Sequence, residues 1–444
     1  MRSPLRTQEA PQSPPPLSAF EKIRYTRAMN LYALISRLLV FPMLLSASGC
    51  ETADQVLTSA EKVLGSQTGR TVVSIAGGKD PKQVLKEHTD AYQRDPESVL
   101  RDIRTLQRDF ETIMAALTGR VRQTWGEKEI KVPEQKRYVK YTQNYMSRAV
   151  VDFDSGTIVI ETLDDKAPKD SLKNALVTTL LTPDDPRSVD LFSDKAVTLT
   201  SDKPPYLLGL VVDQEGRAIK TPAQADAFAT FMVENHAKPR SIDQNGIAKQ
   251  ALLAEIKMVA NFSNRQAEKY RSTVTRYAEQ FKVSPSLIFA VIRTESNFNP
   301  FAVSSAPAFG LMQLVPSSGG RDAYKKAKGK DSIPSRDYLF DPENNIELGS
   351  AYLNVLSYNL LERIENQVAR EYCVISAYNT GPRNVFKAFA QDQTSAINQI
   401  NSLQPPAVYD RLRANLPYQE TRDYLAKVVG FRKQFIAVSG EGVK

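Results

Sequence analysis

The stretch Ser284-Pro285-Ser286-Leu287-Ile288-Phe289-Ala290-Val291-Ile292-Arg293-Thr294-Glu295 decides how this chain is read. Serine is a strong helix N-cap because its hydroxyl accepts a bond from a free amide of the first turn. Proline fits the first helical position, where its missing N–H is not needed. A helix is therefore expected to start at Pro285 and run through FAVIRTE. Leu287, Val291 and Glu295 fall at intervals of four, with Ile288 and Ile292 alongside, so the Glu295 carboxyl stands on the apolar stripe near the helix C-terminus. Burial and the negative end of the helix dipole both disfavour the carboxylate, and together they raise its pKa. A carboxyl that keeps its proton near neutral pH can serve as a general acid. The plainer alternative at this point is a helix-end glutamate in a partly exposed ion pair with Arg293 or Arg321.

Composition narrows the chemistry around that residue. The chain has 444 residues, which at roughly 100 to 200 per domain suggests two to four domains. With 41% apolar and 24% charged residues, it excludes wholesale disorder, a fibre and a multi-span membrane protein. Two cysteines, Cys50 and Cys373, and two histidines, His88 and His236, are too few for a Cys/His zinc site, and leave a triad only two imidazoles to choose from. No cofactor is expected: no Gly-rich phosphate loop precedes a helix, and no repeat of 20 to 50 residues is visible. The net charge is +8, half of it in residues 1–49, and no basic run interleaves with aromatics, so no nucleic-acid partner is expected.

Working outward toward the N-terminus, Leu31 to Ser48 is an apolar run interrupted by Arg37 and Pro42, preceded by Lys22, Arg24 and Arg27. This reads as a signal peptide over residues 1–49, with Met29 an alternative start. Ser48-Gly49-Cys50 follows and resembles a bacterial lipobox, although Ala47 stands where leucine is usual. The resemblance implies acylation of Cys50 and a lipid anchor in the membrane. Glu51 in place of aspartate implies the periplasmic face of the outer membrane. A free thiol after an ordinary signal, or an uncleaved anchor, are the alternatives.

The mature chain divides on composition. Residues 50–122 read as a helical tether, with Val99, Ile103, Leu106 and Phe110 at helical spacing. Residues 123–262 read as a small α+β N-terminal domain with its linker. In it a hairpin turns at Ser155-Gly156 between VVDFD and TIVIETL, a helix covers Leu172 to Leu181, and short strands lie around Val197 and at Leu208 to Val212. The boundary is placed between Gly246 and Ser263, and residues 263–444 read as mainly α.

Beyond the opening helix stand Glu295-Ser296-Asn297-Phe298-Asn299-Pro300, then Gly310-Leu311-Met312-Gln313-Leu314, then Ser376-Ala377-Tyr378-Asn379-Thr380-Gly381, then Glu420-Thr421-Arg422-Asp423-Tyr424. In this order they resemble the ES, GLMQ, AYN and ETRxY motifs of lytic murein transglycosylases with a lysozyme-like, SLT-type catalytic domain. Tyr138 to Leu163 and Ser188 to Val212 also resemble the N-terminal domain of membrane-bound members of that family. The resemblance implies peptidoglycan glycan strands as the partner and Glu295 as the sole acid/base. It implies that Ser296 supports the glutamate and the substrate, and that Met312 and Gln313 line the sugar groove. It further implies sugar contacts from Tyr378 and Asn379, and a Tyr424 hydroxyl facing the carboxyl. Thr380 stands where alanine or glycine is usual. Cys373, in EYCVISAY, reads as a buried small hydrophobe.

Two-carboxylate glycoside hydrolysis does not fit motifs that supply one carboxylate. The resemblance implies instead that Glu295 protonates the glycosidic oxygen between N-acetylmuramic acid and N-acetylglucosamine, then deprotonates the sugar's own 6-hydroxyl, which closes a 1,6-anhydro ring. A hydrolase of the same fold and a non-catalytic peptidoglycan-binding lipoprotein are the alternatives.

Overall fold

The computed structural model describes residues 96–199 and 203–439. The expectations for the signal peptide, Cys50, His88 and the first part of the tether lie outside them.

Helix α1 (Pro96–Trp125) leads into an antiparallel sheet of β1 (Arg137–Thr142), β2 (Ser147–Asp152), β3 (Thr157–Thr162), β4 (Lys238–Gln244) and β5 (Ile247–Lys257), in the order β1-β2-β3-β5-β4. Between β3 and β4 run α2 (Pro168–Leu181) and α3 (Pro222–Asn235). Successive strand residues point to opposite faces, and both faces are covered. Val139, Tyr141, Val150, Ile242 and Ala251 pack with Leu117, Val121 and Trp125 of α1. Tyr138, Ala149, Val151, Ile158, Ile160, Ala254 and Ile256 join a second, larger core that includes α2, α3 and the helical domain.

The expected hairpin is present, with β2 and β3 paired Asp152 to Thr157 across the turn. Gly156 has φ +64°, and a Cβ there would come within 2.7 Å of the Phe262 ring, so conformation and space both demand glycine. The expected helix at Leu172 to Leu181 lies within α2.

Three expectations are corrected. First, the helix expected before residue 122 forms as α1, but from Phe110 on it packs into the fold rather than serving as a tether, with Phe110, Leu117, Val121 and Trp125 buried, and it crosses the 122/123 boundary. Second, the strands expected around Val197 and at Leu208 to Val212 do not form. Val197, Leu210 and Val211 are buried as loop, with isolated bridges Leu208 to Val211 and Val212 to Ala218, because Pro204, Pro205 and the positive-φ Gly209 keep this run out of a ladder. Third, most of the segment between Gly246 and Ser263 is strand β5 rather than linker. Its first four residues are exposed, so the apolar alternation that marks a strand is missing there. The usable signal was Asn245-Gly246, whose φ values of 54° and 91° suit a tight hairpin turn.

The helical domain follows. It comprises α4 (Phe262–Lys269), α5 (Arg271–Phe281), α6 (Pro285–Glu295), α7 (Gly319–Lys328), α8 (Arg336–Phe340), α9 (Pro342–Val355), α10 (Gln367–Thr380), α11 (Pro382–Lys387), α12 (Gln393–Ser402), α13 (Pro405–Asn415) and α14 (Gln419–Ser439). The start of α6 is as expected, since Ser284 Oγ accepts from Leu287 N at 3.3 Å. Leu287, Ile288, Phe289, Ala290, Val291 and Ile292 are all buried, so α6 is a central helix rather than a one-sided one. The two domains share one core. Phe301 of the helical domain seats its ring 4.8 Å from Tyr138 and 5.1 Å from Tyr206, and Phe110 of α1 stands 5.8 Å from Phe309.

Candidate active site

The last residue of α6 is Glu295, only 9% exposed. Its carboxyl is pushed up to about 8, chiefly by burial. Hydrogen bonding with Tyr424 opposes the rise, the charge of Glu420 adds to it, and that of Lys136 opposes it. The alternative of an ion pair does not hold among the described residues: Arg321 pairs with Asp331 at 2.5 Å, and Arg293 lies 5.4 Å over the Phe431 ring.

Two tyrosines bear on this carboxyl. The Tyr424 hydroxyl, on α14, is buried and makes no hydrogen bond of ordinary geometry, yet it lies close enough that it and Glu295 perturb each other's protonation. Tyr378, on α10, is also pushed up by burial and then by the nearby Glu295, and it donates its hydroxyl to Met312 O at 2.8 Å. Asn379 is held to α14 because its Oδ1 accepts from Thr421 Oγ at 2.7 Å. Thr380, the odd residue of the motif, has a use of its own: its hydroxyl accepts from Asn384 Nδ2 at 2.9 Å.

The remaining expected residues hold the loop beside the glutamate. Ser296 is fully buried and donates its hydroxyl to Ile292 O at 3.1 Å and Leu311 O at 2.7 Å, so it ties the end of α6 to the next loop and offers no surface to a sugar. Met312, expected to line a groove, is fully buried. A Cβ on Gly349 would come within 2.1 Å of its sulfur, so the side chain fills the space that this glycine leaves. Gln313 has φ +48° and donates Nε2 to Ala302 O at 3.0 Å and Gly310 O at 2.9 Å, leaving its buried Oε1 without a partner among the described residues. Cys373 is fully buried, as expected, and burial pushes its thiol up. The His236 ring packs against Phe231 at 5.2 Å. Among the described residues, no cluster of His, Cys, Asp or Glu could hold a metal ion.

Sequence reasoning missed Asn345, fully buried on α9. Its Oδ1 accepts from Met312 N at 2.7 Å, and its Nδ2 donates to Phe309 O at 2.8 Å and Leu339 O at 2.7 Å. It thereby shapes the GLMQ turn, where a Cβ on Gly310 would meet Asn345 Nδ2 at 2.4 Å. A polar residue on the buried stripe of a capped helix was the available signal. Also missed were Lys136 and the asparagines Asn297 and Asn299, which reach the small domain.

A mainly helical domain that buries one glutamate at the end of its central helix, joined to a small α+β domain, is the architecture these residues build. Residues 272–401 match the model for the Transglycosylase SLT domain, and residues 100–269 match that for the N-terminal domain of Membrane-bound lytic murein transglycosylase C. A Membrane-bound lytic murein transglycosylase C from Yersinia enterocolitica is 40% identical over 343 residues, covering 77% of this chain and 93% of that relative. The Serratia proteamaculans protein of the same name is 40% identical over 326 residues, covering 73% and 89%. The 70 kDa soluble lytic transglycosylase of Escherichia coli has a partial likeness at TM-score 0.30 and 25% identity, over 38% of this chain and 24% of that one. The chain belongs to the membrane-bound lytic murein transglycosylase C family.

Proposed function

We propose that this enzyme, a lytic transglycosylase acting on peptidoglycan, uses Glu295 as its single acid/base. The observation that carries this reading is a buried carboxyl, pushed up to about 8, at the end of the central helix and facing Tyr424 and Tyr378. At neutral pH the carboxyl holds a proton that it can give to the glycosidic oxygen between N-acetylmuramic acid and N-acetylglucosamine. The resulting carboxylate then takes the proton of the muramyl 6-hydroxyl, which attacks the anomeric carbon of its own sugar and closes the 1,6-anhydro ring. Proton, leaving group and nucleophile balance without water, and intramolecular attack avoids the entropy of recruiting a second molecule.

In this reading Tyr424 steadies the carboxylate form, and Tyr378 and Asn379 face the sugar from α10. Gln313 Oε1 is an acceptor with no partner among the described residues, suited to a sugar hydroxyl or amide. Ser296 and Met312 act through the loop they hold rather than by touching substrate. The test is mass spectrometry of sacculus digests by the wild type and Glu295→Gln: anhydro-muramyl ends are expected from the first and near-complete loss of cleavage from the second. Reducing ends without the anhydro ring would replace the cyclising step with hydrolysis.

The relatives' name, membrane-bound, supports association with a membrane. We assign the anchor to acylated Cys50 and its location to the periplasmic face of the outer membrane. Labelled palmitate should enter the wild type and be absent from Cys50→Ala, which should leave the membrane fraction; equal labelling of both would remove the assignment.

A further inference from the structure

The turn that follows Glu295 is held from two sides. Asn297 and Phe298 both lie in the left-handed region, with φ +48° and +62°. Asparagine tolerates that conformation, but a phenylalanine there is strained, and such backbone persists only where its surroundings fix it. The anchors alternate along the chain. Asn297, 1% exposed, reaches the small domain and donates Nδ2 to Phe153 O and, at 3.1 Å, to Asp154 Oδ1. Phe298 is fully buried in the helical domain, its ring 6.4 Å from those of Phe289 and Tyr270 and 6.1 Å from that of Phe435. Asn299 returns to the small domain and donates Nδ2 to Gln135 O at 3.1 Å.

The small-domain side of this contact is itself braced. Asp152 Oδ1 accepts from the amides of Asp154 and Ser155, each at 2.9 Å, and Phe153 N donates to Lys136 O at 2.9 Å, which ties the β2–β3 turn to the approach to β1 that carries Gln135. On the other side the turn continues α6 without a break. Ser296 N donates to Ile292 O at 3.0 Å and Asn297 N to Arg293 O at 3.2 Å, so the helical bonding pattern runs past Glu295 as far as Asn297. Two peptide units therefore separate Glu295 from a side chain fastened to the other domain.

We propose that Asn297 is a positioning residue: its side-chain amide hooks the end of α6 onto the small domain and so fixes where the Glu295 carboxyl stands. Part of the acid/base geometry is then supplied by a domain outside the helical one. This rests on Glu295 being the acid/base. The hook is uncharged and acts on placement, and a misplacement of about 1 Å at a reacting group can cost about a hundredfold in rate. Substrate affinity does not depend on it.

The experiment measures kcat and KM on soluble glycan strands, and Tm, for the full-length chain carrying Asn297→Gly or Asn297→Ala. Both remove the hook, but only alanine also strains the backbone, because glycine takes φ +48° freely. The two should lose kcat alike, by about tenfold to a hundredfold with KM within about twofold of wild type, while the alanine variant melts at the lower temperature. A kcat for Asn297→Gly within about twofold of wild type would overturn the proposal, as would a loss carried by KM instead. So would kcat losses that follow the order of the melting temperatures, the outcome of a merely structural asparagine. If Asn297→Gly does not fold, Asp154→Ala decides in its place. That side chain is 58% exposed and accepts one of the two bonds of the hook, so kcat should fall several-fold at unchanged KM and Tm, and an unchanged kcat would remove the proposal. Cleavage retained by Glu295→Gln would instead remove the acid/base reading, so the two failures are distinct.

Discussion

Asn345 accepts the Met312 amide on its Oδ1 at 2.7 Å, and through that bond a side chain of α9 holds the loop on which Gln313 stands. With its other two bonds, Asn345 reaches three buried backbone groups, two in the loop after α6 and one near the end of α8. Its replacement by alanine takes this partner from the buried Met312 amide and Leu339 carbonyl, and leaves Phe309 O with only the Leu314 amide at 3.3 Å. Each unsatisfied group costs about 1–3 kcal/mol, so Asn345→Ala should lose about 2 kcal/mol or more in urea denaturation, with activity falling alongside. A loss below about 1 kcal/mol would mean that the loop is held by something else.

Glu295 should cost the fold stability at neutral pH. Its folded pKa, about 8, lies above the free value of 4.5, so folding takes up a proton between those values and stability falls as pH rises. Relative to Glu295→Gln, the wild type should lose stability by up to about 1.4 kcal/mol per pH unit across that window. The gap should close below about pH 4.5. Denaturation at several pH values checks this, and a gap independent of pH contradicts it.

Tyr424→Phe separates packing from proton control. The hydroxyl it removes is buried without a hydrogen bond of ordinary geometry, so stability should change by less than about 1 kcal/mol in either direction. The same hydroxyl lowers the Glu295 pKa, so its removal should move the alkaline limb of the rate profile to higher pH. A large loss of stability with an unmoved limb would make Tyr424 a packing residue only.

Phe301 is an apolar joint between the domains, fully buried against Tyr138 and Tyr206. Phe301→Ala should cost about 3–5 kcal/mol in denaturation. A fragment beginning at Ser263 lacks both tyrosines and the partners of Asn297 and Asn299, and should melt well below the full chain and cleave soluble glycan poorly. Full activity in that fragment would show that the small domain is not needed for chemistry.

Much of this was legible in the residues themselves. The cap at Ser284, the proline after it and the four-residue spacing that ends on Glu295 are local signals, set by backbone sterics and helix geometry, and α6 follows them. The β2–β3 hairpin likewise announced itself through Ser155-Gly156. The motif order named Ser296 and Met312 as well, and both are buried in the loop that follows the glutamate.

Tertiary structure alone decided the rest. The β4–β5 hairpin hid because the first part of β5 faces solvent and lacks an apolar pattern, so pairing with β4 there, and with β3 from Leu252 on, makes it a strand rather than composition. The Glu295 pKa comes from burial and from charges on α14 and the small domain, groups more than 100 residues away along the chain. Helix propensity is read over neighbouring residues, but the electrostatic environment of a carboxyl is a sum over space. The sequence therefore determined which residue could be the acid and on which helix it stands. Only the fold determined that Tyr424, Glu420 and Lys136 surround it.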